Sequence, residues 1–209
     1  MTIFVINIGD TIYGKYSLPF IEKLCEHNNI NLFVLSEDLP KNIYNLHPSW
    51  LKLFSHSLID DDFILCWDLD LLPTKLYNIK GLLDYNNLNF CYDGSHIGEG
   101  FTFNGKFKFN CGLIGIPKKY QNFIENVYHK YGKIATYPSY EQYYVNDEIF
   151  DNKIIPNLMD GRLNNMFNGS ENFSEDILNI HYTWKIRSNQ HRVELIEKHF
   201  NKYKNNFNL

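Results

Sequence analysis

The sequence lacks a disulfide framework, a zinc-type cysteine pattern and a membrane-spanning run. Its cysteines, Cys25, Cys66, Cys91 and Cys111, form neither a CxxC pair nor a Cys/His cluster, so we expect reduced, buried thiols. The apolar residues 1–8 are too short to cross a bilayer, and they carry neither the basic start nor the cleavage site of a signal peptide. We therefore expect a soluble, cytoplasmic protein with no membrane span.

The chain also lacks an excess of positive charge. Its 20 basic and 24 acidic residues give a net charge of −4, which provides no field to attract nucleic acid or an anionic membrane surface. We predict small or neutral partners and no nucleic acid, and the oligomeric state stays open. At 209 residues, one domain is favoured over two.

What the chain does have is an apolar run that ends abruptly in two carboxylates. Residues 63–67 have the composition of a buried strand, and Asp68 and Asp70 follow it, one residue apart. Ligands gather at the carboxyl ends of strands in open α/β sheets. Paired carboxylates repel each other unless a cation lies beside them, and hard oxygen ligands favour magnesium, manganese or calcium. The pair predicts a metal site shared with substrate phosphates, the alternative being a plain strand-to-loop turn.

The hydrophobic pattern alternates between strands and helices along the chain. It predicts an α/β fold whose central sheet is mixed, mainly parallel and flanked by helices. A long loop or hairpin is expected over residues 95–109, beside the site. The predicted strands are residues 3–8, 32–35, 63–67, 89–92, 111–116, 153–156 and 177–181, and the predicted helices are 17–29, capped by Ser17, 48–58, 76–85, 117–131, 140–150 and 188–203.

Further polar motifs stand before and after the carboxylate pair. In chain order they are Asp10-Thr11-Ile12-Tyr13, Pro48-Ser49-Trp50-Leu51-Lys52-Leu53, Phe109-Asn110-Cys111-Gly112-Leu113-Ile114, Glu141-Gln142-Tyr143-Tyr144-Val145-Asn146 and His181-Tyr182. Together with Asp68-Leu69-Asp70 they resemble the motifs of the glycogenin-like glycosyltransferases, which have the GT-A fold and take a sugar from a nucleotide diphosphate. The resemblance extends over most of the chain. It implies one Rossmann-like GT-A domain over residues 1–209.

The resemblance also implies a role for each matched position. It implies that Asp68, Asp70 and His181 ligate Mn²⁺ or Mg²⁺, and that the catalytic residues are Asp68, Asp70, Glu141 and Gln142. The residues implied to bind the donor are Asp10, Tyr13, Lys52, Asp68, Asn110, Gly112, Lys185 and Arg187. Within that set, Tyr13 would pack on the nucleotide base, and Lys52 would approach the donor sugar.

Four positions depart from the pattern of the family. Glu141 stands where the family has aspartate, and Tyr143 stands at its next acidic position. Trp184 stands where the family has glycine, and Arg187 where it has lysine. The implied diphosphate contact is therefore Lys185 or Arg187.

The chemistry of these residues agrees with the implied roles. Two carboxylates and a neutral imidazole form a mixed oxygen and nitrogen site that suits manganese. A metal together with a nearby cation would offset the charge that grows on a leaving diphosphate. The neutral amides of Asn110 and Gln142 suit hydrogen bonding to sugar hydroxyls.

The sequence therefore predicts a metal-dependent glycosyltransferase of the hexosyltransferase type. The predicted donor is a UDP-sugar, and the acceptor is a carbohydrate or glycan hydroxyl. Two alternatives stay open: a sugar-phosphate nucleotidyltransferase, although residues 7–13 do not form the basic loop of that class, and a non-catalytic nucleotide-sugar-binding module. The resemblance implies retention at the anomeric carbon. An inverting enzyme would need a general base, for which the candidates are Asp93, Glu141, Asp147, Glu148 and Asp160.

Overall fold

The computed structural model describes residues 1–9, 11–39, 42–92, 102–103, 106–107, 109–135, 141–167, 176–182 and 189–209. The strands are β1 (Thr2–Ile6), β2 (Asn31–Leu35), β3 (Phe63–Trp67), β4 (Leu71–Pro73), β5 (Asn89–Tyr92), β6 (Thr102–Phe103), β7 (Lys106–Phe107), β8 (Phe109–Pro117), β9 (Asn157–Leu158), β10 (Asn165–Met166) and β11 (Asn179–His181). The α-helices are α1 (Ile12–Asn28), α2 (Ser55–Leu58), α3 (Gln121–Tyr131), α4 (Gln142–Asp151) and α5 (Asn189–Tyr203).

The main sheet has the strand order β2-β1-β3-β8-β5-β9. β1 is parallel to β2 and β3, and β5 is parallel to β9, whereas β8 is antiparallel to both β3 and β5. A smaller sheet has the order β10-β11-β4, and β6 and β7 pair as a hairpin. The α/β class and the mixed central sheet are confirmed.

The two sheets meet at the predicted carboxylate pair. β3 belongs to the main sheet and β4 to the smaller one, so Asp68 and Asp70 occupy the turn that joins them. β3 is buried along its whole length, as its continuous apolar composition predicts.

Apolar side chains fill both faces of the main sheet. One face packs against α3, α4 and the 3-10 helix Pro48–Phe54, and the other packs against α1. A third cluster joins α1 and α5 to the smaller sheet. The four cysteines are free and buried, as predicted. None of the described helices is both long enough and apolar enough to cross a membrane.

The first helix begins earlier than predicted. Thr11, not Ser17, caps α1 by accepting a hydrogen bond from the Gly14 amide, and Ser17 is buried inside the helix. A helix beginning at Ser17 would have had Pro19 in its first turn, where proline is tolerated. In α1 Pro19 lies in the interior, where proline is unfavourable. Burial of Phe20 and its neighbours on the same face outweighs that cost.

Two other predicted elements are wrong. Residues 76–85 contain only the short 3-10 helix Lys80–Leu82, because the Asn28 side chain bonds to the backbone of Tyr77 and Ile79 and so competes with a helix. The strand predicted over 153–156 is displaced to β9, since Lys153 has a left-handed φ of 53°.

Two predicted helices are also subdivided. Residues 48–58 form the 3-10 helix Pro48–Phe54 followed by α2, and the 3-10 helix Lys118–Tyr120 precedes α3.

Candidate active site

A tight turn holds the two aspartates between β3 and β4. The Leu71 amide donates to the Asp68 carbonyl at 3.0 Å, and the Trp67 indole donates to the Leu71 carbonyl at 2.9 Å. Leu69, between the aspartates, is buried. The backbone of Asp70 is fixed as well, because its carbonyl accepts from the Tyr182 amide at 2.8 Å. The two carboxylates are therefore held on a rigid support.

Lys52 lies at the centre of a buried charge cluster. Only 1% of the residue is exposed. Its Nζ lies 2.7 Å from Asp68 Oδ1, 2.8 Å from Glu141 Oε1 and 2.8 Å from the Cys111 carbonyl oxygen. A lysine ammonium has three donors, so all of them are engaged by the protein itself. Lys52 could donate a hydrogen bond to a sugar only if it broke its contact with one of these three partners.

The charges in this cluster shift one another's ionisation. Burial alone would lower the pKa of Lys52, but the charges of Asp68 and Glu141 outweigh it and raise that pKa. Burial likewise opposes ionisation of Glu141, and Lys52 outweighs it, so the pKa of Glu141 is lowered. Burial raises the pKa of Asp68 to about 6, with the charges of Asp70 and Glu141 adding to the effect and Lys52 opposing it. Lys52 thus outweighs the effect of burial at Glu141 but not at Asp68.

Asp70 and His181 face each other with unsatisfied atoms. The Nε2 atom of His181 lies 3.4 Å from Asp70 Oδ1, and that oxygen is buried without a hydrogen-bond partner. On the other side of the ring, Nδ1 lies 2.6 Å from Asn164 Oδ1, so Nδ1 carries a proton. In the neutral ring, Nε2 then presents a lone pair to the carboxylate. Two acceptors at this distance require a cation or a proton between them.

The pKa values of the pair have the same electrostatic cause. Burial favours the neutral form of both groups. For His181, the charge of Asp70 outweighs burial and raises the pKa. For Asp70, the charge of His181 in its protonated form, together with the charges of Arg192 and Lys52, outweighs burial and lowers the pKa.

β8 passes close to both aspartates and to the histidine. The Asp68 amide donates to the Gly112 carbonyl at 2.8 Å, and Asn110 Oδ1 accepts from the Gly112 amide at 2.8 Å. A Cβ at position 112 would lie 2.7 Å from His181 Cε1 and 2.9 Å from Asn110 Oδ1. Glycine is therefore required here by the close approach of the imidazole.

Two amides of α4 fix the start of β8. Asn146 bonds to both the amide and the carbonyl of Phe109, at 2.6 and 2.9 Å. Gln142 Oε1 accepts from the Cys111 amide at 3.0 Å. The register between β5 and β8 shifts at Phe90 and Cys91, and Gln142 supplies an acceptor for β8 in that region. Gln142 and Asn146 thus support the strand that carries Asn110 and Gly112.

An arginine that sequence analysis did not single out lies at the same site. Arg192 of α5 carries a positive charge that acts on Asp70, and it also acts on Tyr13 in the first turn of α1. Burial raises the pKa of Tyr13, and Arg192 opposes that shift. The only feature of the sequence that could have drawn attention to Arg192 is that arginine is rare in this chain, with 3 arginines among 20 basic residues.

Other predicted residues lie elsewhere or outside the described part of the chain. Asp10, Lys185, Arg187 and the candidate base Asp93 fall outside the described residues. Of the other candidate bases, Glu148 pairs with Lys130, and Asp160 pairs with Arg162.

The predicted metal ligands converge only in part. Within the residues that the structure describes, no three His, Cys, Asp or Glu side chains form a complete ligand set. Asp70 and His181 approach each other, while Asp68 turns one oxygen to Lys52.

The fold is shared with solved structures of glycosyltransferases. A glycosyltransferase involved in glycosylation of the major capsid of PBCV-1 has a TM-score of 0.69 and 17% identity, over 94% of this chain and 98% of that one. The galactosyltransferase LgtC, solved with donor and acceptor sugar analogs, has a TM-score of 0.64 and 14% identity, over 97% and 96%. GlyE from Streptococcus pneumoniae TIGR4 has a TM-score of 0.64 and 16% identity, over 99% of this chain and 62% of that one.

These likenesses establish the GT-A fold that the sequence resemblance implied. No model of a protein family matches the sequence, and no curated protein does. The glycogenin-like family in particular stays a prediction.

Proposed function

We propose that this protein is a metal-dependent glycosyltransferase that transfers a sugar from a nucleotide diphosphate, with a UDP-sugar as donor, to a carbohydrate or glycan hydroxyl. The observation that carries the proposal is the facing pair of Asp70 Oδ1 and His181 Nε2, 3.4 Å apart, with the oxygen lacking any hydrogen bond. The fold supports it, because the solved structures with this fold include glycosyltransferases, one of them with donor and acceptor sugar analogs.

The donor atoms of the site fit a divalent ion. Asp70 and His181 would hold Mn²⁺ or Mg²⁺ through an oxygen and a nitrogen, and Asp68 can contribute the carboxylate oxygen that Lys52 does not bind. Such ions commonly take only one or two carboxylates from the protein and fill the remaining positions with phosphate oxygens and water. An incomplete protein ligand set is therefore the expected arrangement. When bound, the ion would supply positive charge to the leaving diphosphate.

The surrounding residues prepare the site for that ligand. Asn164 bonds to Nδ1 of His181 at 2.6 Å and so keeps Nε2 directed at Asp70. Lys52 neutralises charge on Asp68 and Glu141, which lets the buried Glu141 stay ionised beside the partly exposed Asp68. We assign Lys52 a positioning role, because its three donors are already engaged.

Glu141 is poorly suited to be a general base in this reaction. Its pKa is lowered, chiefly by Lys52 acting against burial, and only 3% of the residue is exposed. A base needs a pKa near the working pH and access to the acceptor hydroxyl. We therefore propose that Glu141 holds Lys52, and that the site needs no proton acceptor at this position. That is consistent with the retaining reaction that the resemblance implies.

Nucleotide-sugar turnover tests the proposal. UDP release from a panel of UDP-sugars is measured with Mn²⁺ and with a chelator, for the parent protein, for Asp70→Asn and for the control Asp60→Asn. Asp60 is an exposed carboxylate that pairs with Lys118 at the surface. We expect chelator-sensitive UDP release that Asp70→Asn reduces about 100-fold or more, because loss of metal-based charge stabilisation is worth several kcal/mol.

The control should keep its activity, and both variants should keep the parent's circular dichroism. Unchanged turnover in Asp70→Asn refutes the assignment. Pyrophosphate formed from a nucleoside triphosphate and a sugar phosphate would instead identify a nucleotidyltransferase. Binding of UDP and metal with no product from any sugar would identify a binding module.

A further inference from the structure

Helices α1 and α5 pack side by side and direct their first turns to one place. Phe200 of α5 lies 5.4 Å from Tyr16 and 5.1 Å from Phe20, measured between ring centroids, and the later Phe207 stacks on Phe20 at 4.4 Å. Later residues of one helix thus meet later residues of the other. Seven residues before Phe20 is Tyr13, and eight residues before Phe200 is Arg192, so both belong to the same packed faces at the starts of the helices.

Arg192 has an unsatisfied donor at this place. Its Nε is buried and has no hydrogen-bond partner, and no carboxylate of the described residues lies within ion-pair distance of its guanidinium. A buried donor without a partner costs free energy comparable to a lost hydrogen bond. The arginine is held there by the packing of α5 and by a hydrogen bond with the Tyr13 side chain, and its Nε is the donor left without a partner.

The site therefore contains unsatisfied atoms of both polarities. Asp70 Oδ1 is a buried acceptor without a hydrogen bond, and Arg192 Nε is a buried donor without one. Asp70 directly precedes β4, and α1 and α5 pack against the smaller sheet that contains β4, yet Asp70 and Arg192 form no ion pair. A ligand that satisfies both must carry a cation for the aspartate and an anion for the arginine. A divalent ion bound to a diphosphate has both.

The other cation described beside the aspartates does not compete for this role. Lys52 is engaged by Asp68, Glu141 and the Cys111 carbonyl. Arginine is also better matched to phosphate than lysine, since its planar guanidinium can donate two parallel hydrogen bonds to phosphate oxygens.

We infer that Arg192 binds the diphosphate of the nucleotide-sugar donor, on the side of the site formed by the first turns of α1 and α5. The inference rests on the proposed function and adds a residue that the resemblance did not assign, since it placed the diphosphate contact at Lys185 or Arg187. Arg192 then stabilises the negative charge that develops on the diphosphate as the bond to the sugar breaks.

A comparison of UDP with uridine tests the inference. Both ligands are titrated in the presence of Mg²⁺ by ligand-observed NMR, using the parent protein, Arg192→Gln, Arg192→Lys and the control Lys202→Gln. Lys202 is an exposed cation on the same helix, so it controls for net charge. We expect Arg192→Gln to weaken UDP about 10- to 100-fold, the range of a lost charge-assisted hydrogen bond. Uridine, which has no diphosphate, should bind as to the parent, and Arg192→Lys should fall between.

The possible outcomes separate the two proposals. Equal losses for UDP and uridine would show a purely structural role for Arg192 and overturn the inference, as would an unchanged affinity for UDP. If Arg192→Gln does not fold, the ratio of UDP to uridine affinity in Arg192→Lys decides, because that variant keeps the charge. If the parent itself does not bind UDP, the proposed function fails, and the inference with it. That failure is visible without any variant.

Discussion

Replacing Lys52 with methionine should destabilise the protein more than any surface change of the same type. Methionine keeps the length of the side chain but removes the charge and all three donors. The substitution removes Lys52 Nζ, which now lies 2.7 to 2.8 Å from three oxygen atoms: Asp68 Oδ1, Glu141 Oε1 and the Cys111 carbonyl oxygen. The variant thus leaves two carboxylates and a carbonyl without their cation.

The size of the effect follows from that burial. Breaking a buried ion pair by removing one partner costs about 3–5 kcal/mol, because the remaining charge stays buried without compensation. Domains of this kind have a total unfolding free energy of about 5–15 kcal/mol. We therefore expect Lys52→Met to lose about 3–5 kcal/mol at pH 7. The matched control Lys118→Met removes an exposed lysine paired with Asp60 and should lose at most about 1 kcal/mol.

Urea unfolding measures this loss, with the fluorescence of the buried Trp50 and Trp67 as the signal. A second variant, Lys52→Met with Glu141→Gln, also removes the carboxylate charge of Glu141, which Lys52→Met alone leaves buried without its cation. This double variant should recover part of the stability. Lowering the pH should also reduce the difference in the free energy of unfolding between the parent and Lys52→Met. Lys52 holds the folded pKa of Glu141 below its unfolded value, so the stability from this pair is present above the unfolded pKa and is lost as the pH falls. A loss under about 1 kcal/mol at pH 7, or no recovery in the double variant, would refute the reasoning.

Two further predictions follow from close packing and from burial. Gly112→Ala should cost about 1–3 kcal/mol and reduce activity, since its Cβ would lie 2.7 Å from His181. Gly161→Ala, with open space around the Cβ, should be neutral in thermal unfolding, and equal effects of the two changes would contradict this account. His56 should make stability fall as the pH drops below about 6.5. Burial lowers its folded pKa, its Nε2 bonds to the Ile116 carbonyl and its Nδ1 is buried without a partner, so the folded state resists the proton that the unfolded chain accepts. His56→Gln should reduce that dependence in urea titrations from pH 5 to 8, and an identical pH profile would disprove this origin.

Sequence reasoning succeeded where a property is local. The composition of β3 marks it as a buried strand, and the two aspartates follow it directly, so the position of the pair at a strand end could be predicted. It failed where distant side chains compete for the backbone. No pattern within residues 76–85 reveals that Asn28, from another element, occupies the backbone groups a helix would need.

The candidate site shows the same contrast between local and distant features. The order of the motifs indicated which side chains belong to one site, but the sequence did not show which residue each of them contacts. Lys52 pairs with Glu141, 89 positions later in the chain. Gln142 contacts the backbone of β8, and Arg192 was overlooked because a single arginine on a helix carries no periodic signal.

The sequence by itself determined the main apolar strands and the carboxylates at the end of one of them. These follow from which residues can be buried and which cannot. Only the tertiary structure decided how the buried charges are compensated: Lys52 is fully engaged, whereas Asp70 and Arg192 each keep an unsatisfied atom. The reason is physical, since the energy of a buried charge depends on the few ångströms to its nearest opposite charge, and folding alone sets that distance.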